Sequence, residues 1–428
     1  MKIAMFTNTY LPHVGGVAKS VETLSTECRK LGHEVKIVAP EFDGSEHDDN
    51  VLRVPAIRNF NGSNFSVRVP MPALIRNFMD EFRPDVIHSH HPFLLGDAAL
   101  REGWKMEVPV IFTHHTLYEE YTHYVPLDSE ALKRAVIQLA TEYCNLCTRV
   151  IAPSESVEAL LIERGVTRPI LVQPTGIDTD FFASGDGTAF RLELGIAEDA
   201  EVIGHVGRLA MEKNLGFLCE AVKLCLAQKP STVFLLVGSG DAEPEIQRIL
   251  NDEIAAGRVL LAGQKCGKDL ADAYAAMDVF AFASQSETQG LVLAEAMAAG
   301  VPVIVLDGPG VREIAVNEHN GILLDGGASR DDFARAVVRL LEDLEFHLHC
   351  RSTAKETARS FDQRRCAMRM IEGYEDAIAD RLQNTDEDRS PWDRLVGALE
   401  IEWDLISAKM SAAAAAVASS PSQEVPLD

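Results

Sequence analysis

Short apolar runs alternate with longer amphipathic segments from the first residues onward. KIAMFT (2–7), HEVKIVAP (33–40), DVIHSH (85–90), PVIFTHH (109–115), RVIAPS (149–154) and ILVQPT (170–175) each carry an apolar stretch that ends in polar residues or proline. Runs this short, rich in Val and Ile, predict buried strands. Between them, apolar positions at helical spacing predict helices over Ala18–Leu31, closed by Gly32, and over Met71–Phe82 and Ser129–Cys147. Strands separated by helices of this length build βαβ units and a parallel sheet. The alternation fails over Gly176–Ala200, where Gly, Asp and Ser crowd without a strand, and this stretch reads as a linker. It then restarts with EVIGHVGRL, TVFLLVGSGD, RVLLAGQ, DVFAFAS and VPVIVLD as strands. Helices are expected at Asn214–Gln228, Ala242–Ile254, Asp269–Met277, Leu291–Ala299 and Asp331–Leu341.

The pattern predicts two consecutive doubly wound α/β halves. Residues 1–175 form the first domain and 176–360 the second, with a helix at about 361–380 returning to the first. Residues 381–428 read as an acidic tail. In it, TDEDRSP breaks the pattern, Trp392, Leu395, Val396, Leu399, Trp403 and Ile406 line one helical stripe, and the chain ends in a low-complexity, disordered stretch. The polar face of that stripe has Asp393, Glu400, Glu402 and Asp404, whereas membrane-surface helices favour Lys and Arg there. The stripe is therefore expected to pack on protein.

Composition narrows the classes. The chain has 428 residues, 46% hydrophobic and 25% charged, an ordinary globular balance. Its 40 Lys and Arg against 65 Asp and Glu give a net charge of −25. Such a chain repels phosphate backbones at long range, so nucleic acid is not an expected partner. The start MKIAMFTNTY has no apolar core of a secretory signal, and no run reaches the ~18 apolar residues of a membrane span. Its eight cysteines are scattered, as in reduced cytoplasmic proteins. Cys144 and Cys147 form a lone CxxC, without the second pair or the preceding strand that metal or redox chemistry would bring.

Four constellations can carry chemistry. SETQGLVLAEAM follows a strand and opens a helix, with Glu287 in the turn and Glu295 eight residues later, just over two helical turns on. Gly290 permits close backbone approach at a helix start, where unpaired N–H groups receive anions. A carboxylate on the helix suits paired ribose hydroxyls; two solvated glutamates are the plain alternative. GHVGRLAMEKN places Arg208 and Lys213 before another helix, as a diphosphate site or as ordinary surface charge. Gly15–Gly16 follows the first strand, and VGSGD (237–241) is a further Gly-rich turn, read as a tight turn. Neither is GxGxxG, and no acidic residue stands where a nicotinamide ribose would need one. Finally, His88, His90, His91, His114, His115 and His123 gather after strands of the first half, without the Asp, Glu or Cys spacing of a metal site. They are expected to meet a hydroxylated or charged substrate.

In combination these motifs identify a family. From Lys2 to about Ala379 the chain resembles the retaining GT-B glycosyltransferases of family 4, which have two Rossmann-like doubly wound domains facing a central cleft. The first domain would hold the acceptor and the second the nucleotide sugar. The resemblance implies that Arg208 and Lys213 hold the diphosphate, Glu287 the sugar hydroxyls and Glu295 the ribose, with Gly16 near the donor phosphate. It adds Gln289, Gly290 and Leu291 to the donor set, His115 beside the transferred sugar, and His91, His114 and Tyr118 on the acceptor side. No metal or other cofactor is expected. Many members carry Phe-Gly after the first Glu, whereas this chain has Thr288-Gln289-Gly290. That form, with HSHHPFLLG and THHTLYEEYTHYVP, is similar to bacterial diacylglycerol glucosyltransferases. A UDP-sugar donor is favoured, with GDP-sugar second, and a lipid or small hydroxylated acceptor. The implied location is the cytoplasm, with peripheral contact on the inner membrane face. Lipid enzymes of this kind usually show the membrane a basic face, which a charge of −25 does not supply. A soluble sugar, sugar phosphate or inositol acceptor, a non-catalytic binding protein and a sugar-nucleotide epimerase are the competing readings.

Overall fold

The computed structural model describes all residues except 13, 14, 43, 46, 58–66, 69–71, 120–129, 385–404 and 406–428. The chain forms two compact units, Met1–Gln173 with Cys366–Asp428, and Pro174–Arg365.

The first unit runs β1 (Lys2–Phe6), α1 (Gly16–Lys30), β2 (Glu34–Pro40), β3 (Val51–Val54), β4 (Ala56–Ile57), β5 (Val67–Arg68), α2 (Pro72–Phe82) and β6 (Val86–Ser89). It continues with α3 (Leu95–Met106), β7 (Val110–Thr113), α4 (Glu130–Leu146), β8 (Arg149–Ala152), α5 (Glu155–Glu163) and β9 (Ile170–Val172). Seven strands form a parallel sheet in the order β3-β2-β1-β6-β7-β8-β9. Successive residues of β1 enter opposite cores, Ile3 and Met5 on one face, Ala4 and Phe6 on the other. Both faces are covered, so the strands read as unbroken apolar runs rather than alternating ones.

The second unit runs α6 (Thr179–Ala183), α7 (Gly187–Glu193), β10 (Val202–Val206), α8 (Leu215–Gln228), β11 (Val233–Val237), α9 (Glu243–Ile249), α10 (Asn251–Ala255) and β12 (Val259–Leu261). Next come α11 (Gly267–Ala275), β13 (Val279–Phe282), α12 (Leu291–Ala298), β14 (Val303–Leu306), β15 (Gly321–Leu324), α13 (Arg330–Glu342) and α14 (Leu344–Arg359). Its six strands are parallel in the order β12-β11-β10-β13-β14-β15. A last helix, α15 (Gln363–Asn384), places Met370, Ile371, Tyr374 and Ala377 in the core of the first unit. Leu405, 3% exposed, belongs to the other core of that unit. The residues of the expected tail stripe all lie outside the described residues.

In each sheet the chain leaves its first strand in one direction and returns on the other side, at β1/β6 and β10/β13. In open α/β sheets that switch point, at the carboxyl ends of the strands, is where ligands bind.

Two expectations need correction. Gly176–Ala200 is not an irregular linker. Asp178 caps α6 by accepting from Phe181 N at 2.9 Å, and Asp186 caps α7 by accepting from Ala189 N at 3.0 Å. Phe182, Phe190 and Ile196 are buried in the core of the second unit. The Asp and Gly residues that suggested a loop are helix starts. The single helix expected over Ala242–Ile254 divides at the buried Leu250, between α9 and α10.

Candidate active site

The loop after β10 holds the two expected cations. Arg208 follows Gly207, a single turn of 3-10 helix spans Met211–Lys213, and Asn214 adopts a left-handed conformation at φ 55°. Asn214 Nδ2 donates to Ala283 O at 3.2 Å, tying this loop to the end of β13. The loop also rests on the VGSGD turn. Gly207 N donates to Val237 O and Leu209 N to Ser239 O, both at 3.0 Å. Side chains at Gly238 or Gly240 would run into the carbonyls of Gly207 and Leu209. Those glycines therefore let the turn close on the backbone either side of Arg208.

Opposite, the turn between β13 and α12 brings Glu287 to Lys213, with Nζ to Oε1 at 2.6 Å and side chains 13% and 20% exposed for Lys213 and Glu287. Arg208 forms an ion pair with Glu212 and is 44% exposed. Ser286 Oγ donates to Glu212 O at 3.1 Å, joining the two pairs. The structure thus brings together the two motifs that the sequence held apart. Two cations and two carboxylates cancel in charge, so an arriving diphosphate competes with Glu212 and Glu287 for their partners. Leu293 N donates back to Gly290 O at 2.9 Å, while the Leu291 and Val292 amides ahead of it have no earlier helical turn to donate to and give α12 a positive end. Gly290, at φ 69°, starts that helix, and Leu291 packs half-buried on the core.

Glu295 sits half-buried on α12, where its Oε2 accepts from Tyr274 OH at 2.7 Å. Burial first, then the charge of Glu295, pushes the Tyr274 phenol well up, so it stays a donor. Nothing near Glu295 in the chain signals this partner, 21 residues earlier. Gln289 is buried, and its amide bonds the backbone of Thr175 at both ends, 2.8 Å each. Beneath the loop, His205 Nδ1–H donates to Ala281 O at 3.1 Å, and burial holds the ring down to about 4, neutral.

The first unit carries the histidines. His91 Nδ1 accepts from Asn8 N at 3.0 Å, so its proton lies on Nε2. His88 spans Tyr374 OH and Thr113 Oγ1, both at 2.7 Å. His90 Nδ1 and His115 Nε2 share a hydrogen bond of 2.9 Å, with the rings stacked. His114 is buried, its ring edge-on to Phe112 and Tyr118. Burial lowers His88 and His91 to about 3 and His114 to about 4. Burial and neighbouring imidazoles hold His90 and His115 well below the usual histidine range. These rings are therefore neutral donor–acceptors near pH 7. The sequence groups His90 with the other histidines but does not pair it with His115. Gly16 opens α1, with open space where a side chain would stand. His123 lies outside the described residues.

Cys144 and Cys147 are free and buried, and burial pushes the Cys144 thiol up to about 12, far from a reactive thiolate. Among the described residues, no three His, Cys, Asp or Glu side chains are grouped to hold a metal ion. No described helix is long and apolar enough to cross a membrane.

Residues 14–181 match the family described as Glycosyltransferase Family 4, and residues 187–357 that described as Glycosyl transferases group 1. The chain is 30% identical over 390 residues to the alpha-monoglucosyldiacylglycerol synthase of Streptococcus pneumoniae, covering 88% of this chain and 86% of that protein. It is 29% identical over 350 residues to a GDP-mannose-dependent alpha-mannosyltransferase of Mycobacterium tuberculosis, covering 80% and 89%. Anabaena HepE, solved in complex with UDP and glucose, has the same fold, with a TM-score of 0.69 at 21% identity, covering 88% of this chain and 100% of that one. With two parallel-sheet units and the paired charges of Lys213 and Glu287 at a strand switch point, the chain belongs to the GT-B glycosyltransferases of family 4.

Proposed function

We propose that this nucleotide-sugar glycosyltransferase moves a hexose, with retention of configuration, from a UDP-sugar to a hydroxyl of diacylglycerol or a glycolipid. GDP-sugar is the second choice of donor. The observation that carries the donor half is the Lys213–Glu287 pair beside Arg208–Glu212 at the β10/β13 switch point. The acceptor half is supported by the extent of the likeness to the diacylglycerol enzyme. The alpha products named for both relatives support retention.

As the glycosidic bond breaks, negative charge grows on the departing β-phosphate. Arg208, Lys213 and the amides that start α12 are fixed before that charge appears, so their stabilisation increases toward the transition state. When the donor binds, before the bond breaks, Lys213 gives up the carboxylate of Glu287 for the phosphate, leaving Glu287 to accept from sugar hydroxyls. Glu295 accepts from ribose hydroxyls on one oxygen while Tyr274 orients the other. The acceptor proton passes to the departing phosphate oxygen on the same face of the sugar. His115, neutral and fixed by His90, orients sugar or acceptor. These groups suffice without a metal ion in our reading. Binding is placed at the cytoplasmic membrane face, peripherally.

The test is a screen of UDP- and GDP-sugars, read as free diphosphate, with vesicles containing diacylglycerol or with soluble inositol phosphate. UDP release with the vesicles, co-sedimentation of the protein with them and survival of activity in EDTA are expected. The net charge of −25 favours the soluble acceptor, and release with inositol phosphate alone would move the assignment there. No diphosphate from any pair would overturn the reading. In the same assay Glu295→Ala should raise the donor KM at least tenfold. Unchanged donor affinity by calorimetry would remove Glu295 from the ribose.

A further inference from the structure

The turn between β13 and α12 is fastened at several points. Gln285 Nε2 donates to Gly326 O at 2.9 Å and to Asp307 O at 3.3 Å. Ser286 Oγ reaches Glu212 O, and Glu287 reaches Lys213. Gln289 differs in kind. It is 6% exposed, and its amide spans the backbone of one residue: Thr175 N donates to Oε1 and Nε2 donates to Thr175 O, both at 2.8 Å. A primary amide presents one acceptor and two donors, so here it imitates the N–H and C=O of a neighbouring strand.

Thr175 is itself anchored through Ile177, two residues on. Ile177 N donates to Phe361 O and Gln363 N to Ile177 O, both at 2.8 Å. From the other side Gly310, at φ 71°, closes on the turn, and a Cβ there would lie 2.5 Å from Gln289 N. Gln289 thus joins the donor turn to the segment by which the chain enters the second unit. Where many members of the family carry Phe before the glycine, this chain carries a side chain able to make that pair.

We infer that Gln289 is a positioning residue: by pairing with the Thr175 backbone it fixes the Glu287–Gly290 turn, and with it the aim of the Glu287 carboxylate and of the α12 amides at a nucleotide diphosphate. This rests on the reading of that turn as the donor site. It deepens that reading by assigning Gln289 a role exercised through Thr175 rather than on the donor.

Gln289→Glu separates pairing from space-filling. As a neutral acid, Glu offers a C=O to Thr175 N–H and an O–H to Thr175 O, which reproduces the pair. As a carboxylate it sets an acceptor against the Thr175 carbonyl. Burial favours the neutral form and brings the changeover into an accessible pH range. UDP and GDP binding by calorimetry, expressed as the ratio of variant to unmutated Kd at each pH, reads the effect. The ratio is expected to stay within about threefold at pH 5.5 and to exceed tenfold at pH 8. Gln289→Met, of similar length without either polar group, is expected to weaken binding about tenfold at both pH values. It also serves if the charged variant does not fold at pH 8. A side chain that only filled space would be replaced by Met without loss, so unmutated affinity in Gln289→Met overturns the inference, as does a pH-independent ratio for Gln289→Glu, whose buried carboxylate would then be shown not to disturb the turn. If the unmutated protein binds neither nucleotide, the donor-site reading falls with it, a result distinct from normal binding with a flat ratio.

Discussion

Lys213→Ala should lower turnover about 10²- to 10³-fold, or ~2.7–4 kcal/mol, the scale for losing one preorganised electrostatic donor. The ammonium is 13% exposed and 2.6 Å from Glu287, so it is held in place before the donor arrives. Its removal has two consequences that can be told apart. The growing charge on the leaving phosphate loses a counter-ion, and Glu287, only 20% exposed, is left without its cationic partner. The second consequence weakens the fold. Lys213→Ala with Glu287→Gln should recover melting temperature without recovering turnover. Arg208→Ala is expected in the same range, although its 44% exposure makes the structural penalty smaller. Steady-state kcat at saturating donor checks the claim, and turnover equal to that of the unmutated enzyme would remove Lys213 from catalysis.

Gly238→Ala should destabilise the second unit by about 3 kcal/mol or more. It should also weaken donor binding, although residue 238 is assigned no donor contact. Gly238 has φ 146°, a backbone conformation that residues with a Cβ rarely adopt, at ~1–3 kcal/mol. The added methyl would meet the carbonyl oxygen of Gly207, one residue before Arg208, and overpacking of this kind adds ~1–3 kcal/mol. Relief requires β10 and β11 to part at their carboxyl ends, where Gly207 N bonds Val237 O. Arg208 would move with them. Urea unfolding and UDP calorimetry on the same preparation measure both effects. Gly257→Ala, at a positive φ but with open space around its Cβ, is the control expected to lose stability without losing affinity.

The strands were legible because parallel strands covered on both faces leave unbroken apolar runs such as VFLLV and VFAF. The chemistry was legible where it is local: Arg208 and Lys213 share one loop, and Glu287 and Gly290 share one turn. What the sequence hid depends on partners far along the chain. Asp178 and Asp186 looked like loop residues until the helices they cap buried Phe182 and Phe190. The VGSGD glycines looked like a tight turn alone, since the carbonyls they accommodate belong to another strand end. The resemblance assigns Gln289 to the donor, because nothing in ETQG shows that Thr175 lies against it.

The measurement that bears most directly on the donor site is a crystal structure with a bound UDP-sugar. The diphosphate should lie at the carboxyl ends of β10 and β13, its oxygens within about 3 Å of the Arg208 and Lys213 nitrogens, with the ribose hydroxyls on Glu295. A nucleotide held elsewhere on the chain, with Lys213 still closed on Glu287, would contradict it.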